Sequence, residues 1–421
     1  MAYLWRGSAA IIICLITYLC VAVGSQHGRR SRKAQQAQAM KQAYRSMQRR
    51  TTGSEEKVAN GNTGAAAGRT ETMKISQLWI YPIKSLRGCQ VPAAMLTREG
   101  FYLDRRFMLL KDHGQSPPKL ENMAIAKFAR MCLFHTSIRD GTLIVTYRPP
   151  GSSISGSCEA DSIEIPLDPE SYEGLRKIPV VMHGSPTTGY DMGERYGEWL
   201  SRRFGFKVIL AFWGGNPRPV LGNLPVGKSP NLGPTPKHVV TKMLSAVPFI
   251  GAMLRQDDDD DDDGIAFNDC APFLVISDTS VADVTTRLPA DVEMDLTKFR
   301  ANIVVAGSPE PYAEDYWAEL AVGDDGSHII LTANCARCKS LNVDYHTGES
   351  GTGRDGEVLK LLQSDRRVDP GMKYSPIFGR YGFVGKGDVG NVLKVGDGVV
   401  VTRRNEERTK FYWPGISTPW E

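Results

Sequence analysis

Residues 328–345, HIILTANCARCKSLNVDY, decide how the chain is read. HIILTA and SLNVDY are short β-type runs, so the segment Asn334-Cys335-Ala336-Arg337-Cys338-Lys339 lies between two strands. Three readings compete for Cys335 and Cys338. A structural zinc site needs four ligands, and no second Cys pair or paired His stands at suitable spacing. A thioredoxin-type pair should open a helix within a βαβ unit, whereas a strand and turn follow here. The third reading is a single functional thiolate, Cys338, stabilised by the cationic neighbours Arg337 and Lys339 and suited as a soft ligand to a metal already bound through sulfur. Beside it stands the plain alternative of an inert, partly buried cysteine.

Outward from this stretch, similar runs recur: ISQLWIYPI (75–83), FMLLKD (107–112), TLIVTY (142–147), SIEIPL (162–167), IPVVMH (178–183), VILAFW (208–213), FLVIS (273–277), NIVVAG (302–307) and VLKVGDGVVVT (392–402). Most are bounded by Gly, Pro, Asp or Asn, as strand ends are. Helical spacing is rarer. It predicts helices over Glu194–Phe204, Ser277–Leu288 and Glu357–Leu362. Many strands and few helices point to a β-rich α+β chain of barrel or sandwich architecture.

The 421 residues, 41% hydrophobic and 23% charged, suffice for one large or two moderate domains. The net charge of +4 is small and much of its excess precedes residue 50, which argues against nucleic acid as a partner. Eight cysteines are too few and too scattered for a secreted disulfide scaffold, so a reducing compartment is expected. Residues 9–24, AAIIICLITYLCVAVG, carry no charge and sit at the short end for crossing a bilayer core of about 30 Å. Arg6 precedes them; Arg29, Arg30, Arg32 and Lys33 follow, a bias that keeps the C-terminal part cytosolic. Residues 1–24 are therefore expected to be a transmembrane anchor, with a cleaved signal peptide as the alternative. Residues 25–72, rich in Gln, Arg, Ala, Gly and Ser, are expected to be a tether.

Two folded parts are expected, 73–185 and 186–404, then a tail over 405–421. An irregular insertion at about 214–264 ends in the seven aspartates 257–263, which repel one another and read as a solvated loop tip.

Eight stretches together resemble one family: WIYPIKSLRG (79–88), LDRRFML (103–109), APFLVISDTSVADV (271–284), FRANIVVAG (299–307), YAEDYW (312–317), ARCKSLNVDYHTGE (336–349), SPIFGRYG (375–382) and VLKVGDGV (392–399). Residues 75–403 resemble the MOSC superfamily, with its N-terminal β-barrel domain before the MOSC domain, and within it the mitochondrial amidoxime-reducing components. The resemblance implies a molybdenum cofactor (Mo-molybdopterin), with Cys338 as catalytic metal ligand. It places Lys84, Ser85, Arg105, Arg300, Asn302, Arg337 and Tyr381 at cofactor-contacting positions. Arg forks suit phosphate oxygens and Lys supplies a point charge. Where the family commonly has a hydroxyl pair before Pro-Phe, this chain has Cys270 and Ala271.

The implied activity is reduction of N-hydroxylated compounds: amidoximes, hydroxylamines and N-oxides. No G-x-G-x-x-G fingerprint opens a helix, so electrons must come from outside. The resemblance implies cytochrome b5 and its NADH-dependent flavin reductase; an acidic haem protein docks on basic surface patches, for which Arg202 and Arg203 are candidates. It also implies an anchor in the mitochondrial outer membrane, rather than the endoplasmic reticulum, with the catalytic part in the cytosol. The runner-up function is a molybdenum-cofactor carrier or sulfur-transfer protein without redox turnover.

Overall fold

The structure is a computed structural model that describes residues 72–151, 161–167, 169, 171–172, 174–226 and 264–418. The expected anchor, nearly all of the expected tether and the aspartate run lie outside the described residues. Among the described residues, no helix is long and apolar enough to cross a membrane.

Thirteen strands build the two main sheets, and the alternating runs of the sequence supply them. The larger sheet uses β1 (Lys74–Ile80), β2 (Cys89–Val91), β8 (Phe273–Ser277), β9 (Ile303–Ala306), β10 (Trp317–Val322), β11 (Ser327–Ala336), β12 (Ile377–Val384) and β13 (Val399–Arg404). Their spatial order is β2-β1-β9-β8-β12-β11-β10-β13. Backbone bonds from Ile75 to Asp397 and from Val399 to Met73 join β13 back to β1 and close the sheet into a barrel. The smaller sheet uses β3 (Phe107–Asp112), β4 (Leu120–Asn122), β5 (Lys177–Met182), β6 (Ser185–Asp191) and β7 (Val208–Phe212), in the order β5-β6-β7-β3-β4.

The three expected helices are present as α1 (Glu194–Phe204), α2 (Asp278–Thr286) and α3 (Val358–Gln363). Helix α1 buries Trp199, Leu200 and Phe204 and stops at Gly205, whose φ of 77° permits the left-handed cap.

The expected division at 185/186 falls inside a hairpin. Strands β5 and β6 pair from Lys177↔Tyr190 to Met182↔Ser185, with only His183 and Gly184 between them. Both turn residues have positive φ, 52° and 74°, as a two-residue turn joining right-twisted strands requires. Conversely β1, from the first expected part, is a stave of the barrel built by the second. The chain thus crosses between the sheets rather than completing one before the other.

The described ends of the expected insertion are pinned by a ladder of Arg218–Pro219 with Gly264–Ile265. The expected tail is part of the core through residue 413: Phe411 and Trp413 are buried in one cluster with Val220, Leu221, Ile265 and Cys270.

One buried acid gives this barrel a pH signature. Glu314 accepts from the Ser277 amide and the Ser280 hydroxyl at the start of α2. Burial pushes its pKa up to about 7, against which those hydrogen bonds act. The folded state therefore holds this proton more tightly than the unfolded chain, so stability falls as pH rises from about 4.5 to about 7. Denaturation midpoints across that window should flatten in Glu314→Gln.

Candidate active site: an exposed thiol beside buried guanidiniums

Strand β11 reaches the site irregularly. It pairs Leu331 with Gly382 but Ala333 with Tyr381, leaving Thr332 as an extra residue. Next, Asn334 opposes Arg380 while Ala336 opposes Ile377, so the extra residue now lies on β12. Gly379 serves that second bulge: its φ is 82°, and a Cβ there would meet Ile276 at 2.7 Å and the Val275 carbonyl at 2.9 Å. These bulges end the ladder at Ala336 and release Cys338 at the head of a short 3-10 turn, Lys339–Asn342. Cys338 is exposed, with its Sγ 3.3 Å from the Ser340 hydroxyl. Cys335, by contrast, is buried and receives the Arg337 Nη1 proton at 3.1 Å. The two cysteines thus occupy different surroundings.

The cations converge on this end of the barrel. Arg337 donates to the carbonyls of Lys298 and Phe299, the residues just before Arg300. Its guanidinium lies 5.3 Å from the Phe299 ring, which itself stacks on Phe378 at 3.8 Å. Arg300 donates to the Leu86 carbonyl, and its own carbonyl accepts from Arg105 at 3.0 Å. Both guanidiniums lie over the Tyr81 ring, Arg105 at 4.6 Å and Arg300 at 4.4 Å. Lys84 pairs with Asp269, and Arg105 with buried Asp104, which also accepts from the Tyr81 amide.

Ser85, Arg105 and Arg300 all hold positive φ, 69°, 49° and 58°. Each non-glycine residue in this region costs of order 1 kcal/mol, so three at one place mark a segment shaped for something other than stability.

The electrostatics follow from burial. It lowers the pKa of Lys84, which Asp269 opposes, and it lowers that of Arg300. Burial also works against Arg105, but Asp104 outweighs it and the net shift is upward. For Arg337 burial is likewise outweighed, chiefly by the Cys335 sulfur. Among the described residues neither Arg300 nor Arg337 has a carboxylate partner, and Arg300 Nη2 and Arg337 Nε are buried without any acceptor. A buried cation without a counter-charge is costly. An anionic, oxygen-rich group beside a soft thiol would remove that cost, which is the donor set a phosphate-bearing, sulfur-ligated cofactor requires.

Two expected residues sit differently from the rest. Asn302 is buried between strands, donating to the Trp79 carbonyl and accepting from the Leu274 amide. What it visibly does is join β1, β8 and β9. Tyr381 packs against two core clusters beside Cys335; burial raises its pKa well above the ordinary value.

Four further participants carry no signal of their own in the sequence. Tyr81 and Asp104 lie inside the quoted motifs and had no separate signal. Asp269 immediately precedes Cys270. Arg218, fully buried, donates to the carbonyls of Met182, Asn268 and Asp269, and no pattern in its surroundings announces this. Cys270 is buried, with its thiol pKa pushed up by burial and by Asp269.

A MOSC N-terminal beta barrel domain model matches residues 72–207, and a MOSC domain model matches residues 262–400. The chain is a MOSC-domain protein. Both matches together take in more than half of its length, and the first runs beyond residue 185, as the β5–β6 hairpin does. This MOSC protein is 29% identical over 333 residues to mitochondrial amidoxime-reducing component 1 of Homo sapiens, covering 77% of this chain and 82% of that protein. It is 29% identical over 334 residues to mitochondrial amidoxime reducing component 2 of Bos taurus, with the same 77% and 82% coverage. Molybdenum cofactor sulfurase of Arabidopsis thaliana is 27% identical over 305 residues, 70% of this chain but 31% of that longer protein.

Proposed function

We propose that this MOSC protein is a molybdenum-cofactor-dependent reductase of N-hydroxylated compounds: amidoximes, hydroxylamines and N-oxides. The observation that carries the reading is the pair of guanidiniums left without carboxylates, buried Arg337 next to the exposed Cys338 thiol and half-buried Arg300 with its Nη2 enclosed. The molybdenum cofactor, when bound, supplies the two-electron redox chemistry. Cys338 is the protein's ligand to the metal. Lys84, Arg105 and Arg300 hold the anionic end of the cofactor, with Ser85 lending a hydrogen bond. Arg337 fixes the turn that aims Arg300 and keeps positive charge beside the thiolate. Asp269 holds Lys84 in place.

Electrons come from cytochrome b5 and its NADH-dependent flavin reductase. Of the two docking candidates, Arg203 already pairs with Asp161 and stacks on Trp199, while Arg202 is exposed. The chain is anchored at the mitochondrial outer membrane with this site in the cytosol; the relatives' names support only the mitochondrial part of that reading. A carrier of the cofactor, or a sulfur-transfer module, is the second reading; the similarity to a molybdenum cofactor sulfurase favours it.

The test is molybdenum and pterin analysis of the full-length chain from a host that makes the cofactor. An assay of amidoxime reduction with NADH, cytochrome b5 and its reductase accompanies it. Near-stoichiometric metal with turnover is expected. Bound cofactor without turnover turns the assignment to the carrier, and a metal-free chain overturns both. Arg300→Met removes one guanidinium from the anion site and should lower cofactor content at least tenfold, at about 1.4 kcal/mol per tenfold.

A further inference from the structure

We propose that His183, held by Asp269, is the proton donor for the departing hydroxyl group of the substrate. The inference rests on the reductase reading of the site. Reducing N–OH to N–H breaks the N–O bond, consumes two electrons and two protons, and releases water. The electrons come from a reduced haem-protein donor, but the leaving hydroxide needs a positioned acid to accept a proton from, and a histidine at the rim is suited to that.

His183 Nε2 lies 3.3 Å from Asp269 Oδ1, the same oxygen that pairs with Lys84. The imidazole is thus linked through one carboxylate to a residue at a cofactor-contacting position. Its Nδ1 has no hydrogen-bond partner among the described residues, and 38% of the side chain is exposed. The ring therefore gives one nitrogen to the orienting carboxylate and leaves the other without a partner among the described residues, the division of labour an Asp–His dyad uses.

The turn that carries it is held on both sides. Trp413 Nε1 donates to the His183 carbonyl at 2.7 Å, and Arg218 donates to the carbonyls of Met182 and Asp269. Position 183 itself has a φ of 52°. The charged groups facing the imidazole are Asp269, its hydrogen-bond partner, and Lys84 and Arg218, which both bond to Asp269. Burial would push the Asp269 carboxyl up, yet 56% of that side chain is open, and Lys84 with His183 holds it well below the usual range. Asp269 therefore stays an anion and acts as a positioning residue, while the proton that moves is the imidazolium's.

His183→Gln tests this in the full-length, cofactor-loaded chain, with an aryl amidoxime as substrate. Molybdenum content should match the wild type, and kcat should fall about 100-fold with little change in KM. The wild-type rate should decline as pH rises and the imidazolium loses its proton; the variant should lose that decline and recover rate on adding imidazole. A second readout needs no turnover: the amidine product should protect His183 from carbethoxylation, mapped by peptide mass spectrometry, and leave the other histidines unaffected. Wild-type kcat and pH profile in His183→Gln, or equal modification of His183 with and without amidine, would sink the proposal while the reductase reading stands. A wild-type chain that carries no molybdenum, or reduces no amidoxime, overturns the reductase reading and this proposal together.

Discussion

Replacing Cys338 by serine yields a folded chain with no measurable amidoxime reduction. The substitution costs the fold little, because the thiol is exposed and its contact is the Ser340 hydroxyl, which a serine can also meet. What is lost is the soft thiolate. An alcohol remains protonated at neutral pH and is a poor ligand for a metal already bound through sulfur. Cofactor content should persist in part, because Lys84, Arg105 and Arg300 would still hold the anionic end, so metal analysis and turnover should separate.

Cys335→Ser is the matching control. This cysteine lies in the buried, bulged part of β11, its sulfur beside the Arg337 guanidinium and Tyr381. A serine there can still accept from Arg337, so most activity should remain, with a modest loss of stability from the smaller side chain. Equal loss of turnover in both variants would overturn the assignment of Cys338 as the single protein ligand.

The two cysteines also show what the sequence could and could not convey. The strand runs, the three helices and the motif order were legible because each depends on local periodicity or on short stretches. The closure of the barrel was not, since it hangs on Ile75 and Val399 finding Asp397 and Met73 across more than 300 positions. The division expected at residue 185 falls within paired strands for a related reason: His183-Gly184 is a two-residue turn, and only the pairing across it shows that it joins strands.

At the site, Cys338, Lys84, Ser85, Arg105, Arg300 and Arg337 stood out through motif resemblance; the left-handed backbones of Ser85, Arg105 and Arg300 and the unpartnered N–H groups of Arg300 and Arg337 add a physical reason for those four. Asn302 stood out equally, although its amide is engaged with strand backbones. A motif marks a position without saying whether the side chain serves a ligand or the lattice around it. Arg218 and His183 had no such mark; they matter through long-range hydrogen bonds.

Trp413→Ala should destabilise the folded chain by about 3–5 kcal/mol, the usual cost of deleting a large buried aromatic side chain. Read as a reserve of chain beyond the last strand, residues 405–421 would tolerate the change. The structure gives them another role. Trp413 is fully buried beside Val220, Leu221, Ile265 and Phe411, and the tail backbone lies so close to Gly371 that a Cβ there would meet the Phe411 carbonyl at 2.0 Å. Both carboxylate oxygens of Asp369 accept from the Phe411 amide. The indole N–H adds its bond to the His183 carbonyl, worth about 1 kcal/mol, so Trp413→Phe should lose less than the alanine variant. Denaturant midpoints of the full-length chain give the magnitude. A local measure gives the mechanism: Cys270, buried in the same cluster, should become reactive towards a maleimide in Trp413→Ala before global unfolding. An unchanged midpoint with Cys270 still protected would place the tail outside the core. A lowered midpoint with newly reactive Cys270 would show that the last residues of the chain brace the wall of the site that holds His183 and Asp269.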